Sequence, residues 1–396
     1  MTSPKPRRPQ LPAPRLINDS RMLDRLRQVL RRSSRIALDT ESNSLHAYRE
    51  QVCLIQLSTD EADYLIDPLY LAGEHDLADL GAYLADERVE KVLHAAEYDV
   101  MCLRRDFGFV LRNLFDTQIA ARILGWERVG LGSVLEDEFG IALDKRLQRA
   151  NWGQRPLPDH LIRYAQMDTH YLLRLRDQLS EQLEAGGHVE EAREAFDEVC
   201  RAEWGNNGFD SDGFWRINGA MHLAPRAQAV LRELYLYRET EAEKRDQPLF
   251  KIMSDQLLVE LAEGMPGSYA DLRYGIGIAE SQIKRFGKGV LRAVQRGMEA
   301  PIPRPPFRPR AHSEVVARYE ALHVWRKERA ARRGVESDVI MPKDALWEIA
   351  EVAPRTMEQL AALRSLGPWK RKTYGAEVLA VLAGLDENEP GAGENA

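Results

Sequence analysis

Three acidic groupings in the chain have residue types and spacings that chemistry can use. The first is Asp39-Thr40-Glu41, which closes the apolar run Arg35-Ile36-Ala37-Leu38. Residues two apart on a strand face the same side. An extended Asp39 and Glu41 therefore present two carboxylates to one point. Paired carboxylate oxygens suit hard divalent cations such as Mg2+ or Mn2+. Alone, an Asp-x-Glu is more often a strand end passing into a polar loop. The second grouping is Asp99 in Leu93-His94-Ala95-Ala96-Glu97-Tyr98-Asp99, where a short strand runs into a helix. An acid in a first helical turn is also favoured by the helix dipole. The third is Tyr164 with Asp168, four apart in the helical run 161–175 and so on one helix face.

These groups need elements to hold them. Met22, Leu23, Leu26, Val29 and Leu30 recur at helical spacing behind cap candidates at 18–20. Apolar runs at 35–39, 52–58, 64–67 and 91–94 read as four strands. Helices dominate from there on, including an acidic one over 181–198. Strands first, then strand alternating with helix, predict an α/β domain with a mixed sheet. Its expected extent is 16–205, behind a Pro-rich basic tail at 1–15.

Beyond a linker at 206–220 the chain repeats itself. Leu234, Arg238, Ile252, Met253, Leu258, Leu272 and Gly287 match Leu322, Arg326, Ile340, Met341, Leu346, Leu360 and Gly375 at a constant offset of 88. Two copies of one helical module are expected, over 221–300 and 313–386. A Pro-rich stretch at 301–312 joins them as a stiff spacer, and 387–396 is a polar tail.

Composition bounds the rest. The 396 residues carry a net charge of −7, which alone argues against a generic polycationic nucleic-acid coat. The charge is segregated, however. Residues 1–35 carry +8 and residues 301–333 carry +6, leaving −21 for the remainder. No run approaches the roughly 18 apolar residues of a membrane span, and no apolar core follows the basic N-terminus as in a signal peptide. A cytoplasmic protein with no membrane partner is expected. Cys53, Cys102 and Cys200 form no Cys-x-x-Cys, which excludes a disulfide framework and a thiolate zinc site.

In chain order, Asp39, Glu41, Asp99, Tyr164 and Asp168 resemble the acidic set of the DEDDy 3′→5′ exonucleases. The surrounding residues are more specific. Leu38 to Arg49, followed by Val52-Cys-Leu-Ile-Gln-Leu-Ser58, resembles the first motif of the bacterial ribonuclease D family. Phe115-Asp-Thr-Gln-Ile-Ala-Ala-Arg-Ile-Leu-Gly125 and Trp152-Gly-Gln-Arg-Pro-Leu157 are similar to its later segments. Asn151 departs from the acidic or small polar residue more usual before that Trp. The repeated module resembles the HRDC domain, and two HRDC copies behind a nuclease are that family's arrangement.

The resemblance implies an α/β, RNase H-like mixed-sheet exonuclease domain followed by two all-α HRDC domains. It implies two divalent metal ions, Mg2+ or Mn2+. Asp39, Glu41 and Asp168 would hold the ion that activates water, and Asp39 and Asp99 the ion near the leaving 3′ oxygen. Tyr164 would aim the water; a phenol with an ordinary pKa near 10 is a poor base at neutral pH. Thr40 would offer its backbone N–H to the 3′-terminal nucleotide, Leu45 would wedge against its base, and His94 would touch substrate. Trp152 and Arg155 would stack on a base or bind phosphate, with packing of the Trp against the Tyr164 helix the equal alternative. Trp325, Arg326, Lys327, Arg329 and Arg332 of the second copy, with Arg333, would grip RNA. The expected partner is RNA, meaning tRNA precursors and other RNA 3′ ends, with no obligate protein partner. A DNA 3′→5′ exonuclease and a non-catalytic RNA-binding scaffold stay open as alternatives. The complete acidic set speaks against the scaffold.

Overall fold

The computed structural model describes residues 11–71, 77–205, 208–307 and 312–386. The tail expected at 387–396, most of the one at 1–15 and residues 308–311 of the Pro-rich joint lie outside them. The described chain falls into two compact units. One takes the chain through Glu41, Val52–Glu203 and the second helical copy. The other takes Ser42–Gln51 and the chain from Trp204 through the first copy.

The first unit is built on a six-stranded mixed sheet. Its strands are β1 (Arg15–Ile17), β2 (Arg35–Ser42), β3 (Val52–Ser58), β4 (Asp63–Ile66), β5 (Glu90–Leu93) and β6 (Leu114–Asp116), in the order β1-β4-β3-β2-β5-β6. β3 and β4 pair antiparallel, whereas β1–β4, β2–β5 and β5–β6 pair parallel. β3 is buried along its whole length, which is why it reads as a continuous apolar run. The helices are α1 (Ser20–Leu30), α2 (Ala78–Leu84), α3 (Glu97–Phe107), α4 (Thr117–Ile123), α5 (Leu131–Phe139), α6 (Asp159–His170), α7 (Leu172–Gly186) and α8 (Val189–Cys200). Asp19 caps α1 by accepting from the Met22 amide.

Two strands exceed the sequence expectation. β1 begins at the last residue of the expected tail and runs into the expected domain: Arg15–Ile17 pairs with Tyr64–Ile66. β6 lies where the chain reads as the approach to a helix. Both are three residues long, too short for an alternation pattern to show.

The first helical copy comprises α9 (Pro225–Arg245), α10 (Leu249–Ile252), α11 (Asp255–Gly264) and α12 (Glu280–Glu299). The expected linker at 206–220 is in part core of this copy: Phe214, Trp215, Ile217 and Ala220 bury against Leu231, Leu234 and Ile252. The second copy comprises α13 (Ser313–Arg333), α14 (Ser337–Ile340), α15 (Lys343–Val352), α16 (Met357–Ala361) and α17 (Pro368–Asp386). It docks on α4 and α8 of its own unit. Arg333 clamps Glu191 at 2.5 and 2.6 Å and donates to the Ile123 carbonyl. Glu194 accepts from the Trp369 and Lys370 amides at the start of α17. Cys53 and Cys102 are buried, and no disulfide joins the cysteines among the described residues. No described helix is long and apolar enough to cross a membrane.

Candidate active site

Strand β2 carries Asp39 and Glu41 to one side of the sheet, as their spacing predicts. Helix α6 brings Asp168, one turn beyond Tyr164. Carboxylate oxygens of Asp39, Glu41 and Asp168 lie within 4.8 Å of one another. Asp168 is buried, while Asp39 and Glu41 remain partly open to solvent. Asp99, in the first turn of α3, is 6% exposed and accepts from the Thr40 hydroxyl at 2.5 Å.

A left-handed turn places Asp99. Ala95, between β5 and α3, has φ of 60°, a conformation that costs an L-residue roughly 1–2 kcal/mol. The Asp116 carboxylate, at the end of the neighbouring β6, accepts from the Ala95 and Ala96 amides at 3.1 and 2.7 Å. The same group caps α4 through the Gln118 and Ile119 amides. Capping is the ordinary duty of an acid just ahead of an apolar helical run; the second duty, fixing the turn that aims Asp99, depends on the parallel β5–β6 pairing.

The four carboxylates strain toward protonation. Burial, then the negative charges of Asp99, Asp168 and Glu41, holds Asp39 well above the usual carboxylate range. Burial, then Asp168 and Asp99, pushes Glu41 up to about 10. Asp168 is raised by burial and by Asp99. Asp99 rises to about 7, chiefly by burial, with the Thr40 hydrogen bonds pulling the other way. Burial and the neighbouring carboxylates raise Tyr164 above an ordinary phenol. It is therefore a neutral O–H donor across the physiological range. Clustered oxygens with high proton affinity are the donor set of a hard divalent cation. The residues present thus fit the metal expected from the sequence.

Comparison with known proteins places the chain in a family. Residues 14–184 match a family model described as 3′-5′ exonuclease, and residues 227–294 and 316–382 match the HRDC domain. The ribonuclease D of Cronobacter turicensis is 33% identical over 297 residues, which cover 73% of this chain and 78% of that protein. The chain belongs to the ribonuclease D family. The crystal structure of Escherichia coli RNase D, an exoribonuclease involved in structured RNA processing, matches with a TM-score of 0.68 at 27% identity, covering 95% of this chain and 100% of that one. RRP6-like 1 of Arabidopsis thaliana is 29% identical over 300 residues, or 72% of this chain; the chain spans only 46% of that longer protein.

The substrate residues expected of a ribonuclease D divide into two sets. His94 donates from Nδ1 to the Thr117 hydroxyl at 2.9 Å, because that hydroxyl itself donates to the Leu93 carbonyl. Nε2 is buried, and the Asp116 charge and the Val129 backbone favour a proton on the ring without offsetting its burial. Burial lowers the His94 pKa to about 4, so the ring is neutral and supplies no cation to a phosphate. Leu45 is exposed on the loop after β2.

In the other set, Trp152 takes the packing alternative, and Arg155, Trp325 and Arg326 are held by the protein itself, which corrects the expectation that they bind substrate. Trp152 is 1% exposed and packs with Leu54, Leu65 and Tyr164 beneath α6. It steadies the Tyr164 helix and offers no face to a base. Arg155 is held by both Asp67 oxygens at 2.6 and 2.8 Å and donates to the Cys53 and Trp152 carbonyls. A guanidinium with those bonds has little left for phosphate. In the second copy, Trp325 is buried and donates to Glu377. Arg326 is 7% exposed and donates to the Met341 carbonyl, as its repeat partner Arg238 does to Met253. Arg329 pairs with Glu377 at 3.5 Å, and Arg332 bonds the Glu328 carbonyl. Lys327 alone of the five is exposed with no ion pair among the described residues.

Proposed function

We propose that this 3′–5′ exonuclease removes 5′-mononucleotides from RNA 3′ ends by hydrolysis at two divalent metal ions, acting on structured RNAs including tRNA precursors in the cytoplasm. The observation that carries the reading is the convergence of Asp39, Glu41 and Asp168 oxygens within 4.8 Å, with Tyr164 one turn from Asp168. Asp39, Glu41 and Asp168 would hold one ion, and Asp39 with Asp99 the other. When bound, the ions supply the positive charge that an attacking water and a departing 3′ oxygen both require.

The chain's own residues do the rest. The four carboxylates fix where the phosphodiester must sit. Tyr164 keeps its proton, so it accepts no proton from water at neutral pH; its O–H orients the water for in-line attack. The Thr40 hydroxyl, bound to Asp99, sets the orientation of that carboxylate. Trp152 keeps water from the back of Tyr164. The tRNA assignment rests on the family resemblance.

The test uses the full chain with a 3′-extended tRNA, the matching single-stranded DNA, and each with EDTA. Release of 5′-mononucleotides from RNA, dependent on Mg2+ or Mn2+ and lost in Asp39→Ala and Asp168→Ala, is the expected result. Activity that persists in Asp168→Ala overturns the two-metal assignment. Equal turnover of DNA overturns the RNA preference.

A further inference from the structure

The two helical copies present one face in two different surroundings. On the first copy, residues 209–220 lie over α9 and α11. Phe209 stacks on Tyr235 with ring centroids 5.7 Å apart, and the Tyr235 hydroxyl donates to the Asp210 carbonyl. Gln228 Nε2 donates to the Ala220 carbonyl. Gly219 passes so close to α11 that a Cβ on it would lie 3.8 Å from Val259. The cover is apolar: its Phe214, Trp215, Ile217 and Ala220 are buried. Beneath it, Ala227, Gln228, Leu231 and Tyr235 are buried as well.

The second copy repeats the helices without repeating the cover. α13 and α15 begin and end at the offset of 88 from α9 and α11. Ahead of α13, however, Ile302, Pro303 and Pro305 stand at the positions of Phe214, Trp215 and Ile217. Ile302 is 51% exposed and Phe307 is 89% exposed, so neither is buried as the cover's side chains are.

The face itself differs too. Ala227, Gln228, Leu231, Tyr235 and Val259 become Val315, Val316, Tyr319, His323 and Trp347, and all five are only half-buried. Tyr319 stacks on Trp347 with centroids 4.1 Å apart and planes 14° from parallel. It lies 12° from parallel with the His323 ring, at 5.9 Å. Valine in place of Gln228 removes the donor that holds the first copy's cover. Val315, Tyr319 and Trp347 are each larger than their counterparts. A face that meets only water gains nothing from added apolar surface. A contiguous, half-open patch of rings and valines marks a docking site.

We propose that this face of the second copy docks a short segment of a different polypeptide. The first copy shows the chemistry that fits: uncharged aromatic and aliphatic side chains, placed as Phe214, Trp215, Ile217 and Ala220 are placed over α9 and α11. The segment would supply in trans the cover that the first copy carries in cis.

The experiment pans random 12-residue peptides displayed on phage against the immobilised full chain, with counter-selection on Trp347→Glu and on Val316→Glu. Neither residue belongs to the hydrophobic core of the second copy, and a melting temperature near wild type shows that each variant folds. Peptides rich in Trp, Phe, Ile and Leu should survive. A fluorescein-labelled survivor should bind the full chain in anisotropy and lose affinity roughly tenfold or more in each variant. Val324→Glu, five residues from Tyr319 and so on a different side of α13, should leave binding unchanged. No survivor that needs both Trp347 and Val316 overturns the proposal. Survivors that are only Pro-rich or only Lys- and Arg-rich overturn the chemistry assigned to the segment. Displacement of the bound peptide by a 20-nucleotide oligouridylate in EDTA assigns the face to RNA instead. A wild-type chain that sediments as a dimer, and as a monomer in Trp347→Glu, assigns the face to a second copy of this chain and likewise overturns the proposal.

Discussion

Two groups of buried acids lie on either side of helix α6, and they are built on opposite principles. Tyr164 and Asp168, four apart, face the cluster with Asp39 and Glu41. Gln166 and His170, also four apart, face Asp63 at the start of β4. Asp63 is nearly as buried as Asp99 and Asp168, yet it is saturated with donors: Ser58 Oγ at 2.7 Å, Gln166 Nε2 at 2.6 Å and His170 Nδ1 at 2.9 Å. Burial pushes its pKa up, but the bonds from His170, Gln166 and Ser58 pull harder and leave it below the usual range. In the catalytic cluster the same burial is joined by mutual repulsion, and proton affinity rises. A carboxylate given donors serves the fold. One denied them is held ready for a cation from solution.

The largest effect should come from the cluster where repulsion and burial outweigh the few donors, chiefly Thr40. Asp168→Asn keeps shape but removes charge from the metal set. Loss of several kcal/mol of transition-state stabilisation predicts a fall in kcat/KM on the order of a thousandfold. Single-turnover nucleotide release measures it, and a loss under tenfold would break the contrast. Asp63→Asn should behave the other way. Catalysis should stay within a few-fold of wild type, while the nuclease unit loses about 1–3 kcal/mol as three donors are left poorly matched. Chemical denaturation with Mg2+ present measures that cost. If Asp63→Asn abolished turnover without lowering stability, Asp63 would belong to the catalytic group.

The two groups were unequally legible in the sequence. Asp39, Glu41, Asp99, Tyr164 and Asp168 stand out because the metal chemistry proposed for them constrains residue type, spacing and order together. Asp63 gives no such signal: its donors come from two distant segments, β3 and α6, and only the β3–β4 pairing and the packing of α6 bring them together. The same ignorance of long-range partners misassigns Arg155. An arginine bound to phosphate and one bound to Asp67 look alike until the fold shows Asp67 within reach. Arg326 is different, because the sequence did hold the answer. Arg238 and Arg326 recur at the repeat offset, whereas Lys327 and Arg329 of the second copy stand opposite Glu239 and Glu241 of the first. A charge kept in both copies of a diverged repeat marks a need of the fold, here a buried bond to the carbonyl of Met253 or Met341. The four longer strands were readable from apolar runs. β1 and β6 were not, since at three residues each is specified by the strand it pairs with.

The smallest effect concerns pH, where the two groups should differ in sign. Without metal, the folded catalytic acids hold protons to higher pH than the unfolded chain does, with Glu41 raised to about 10 and Asp99 to about 7. Above pH 4 the unfolded chain releases those protons first. Stability from this cluster therefore falls as pH rises through that window, by up to about 1.4 kcal/mol per pH unit for each proton retained. Asp63 is lowered, so its contribution is complete above its ordinary value of 3.8 and is lost only as pH falls through its folded pKa. Melting in EDTA between pH 6 and 9 isolates the first group, because Asp63 is ionised throughout. Asp39→Asn removes one repelling charge, and it should melt a few degrees above wild type at pH 8 while its melting temperature declines less with pH. Saturating Mg2+ should reverse the order, since wild type then gains the binding energy that the variant has lost. Parallel pH profiles for the two proteins in EDTA would mean that the cluster is relaxed without metal, and that its closeness is no burden on the fold.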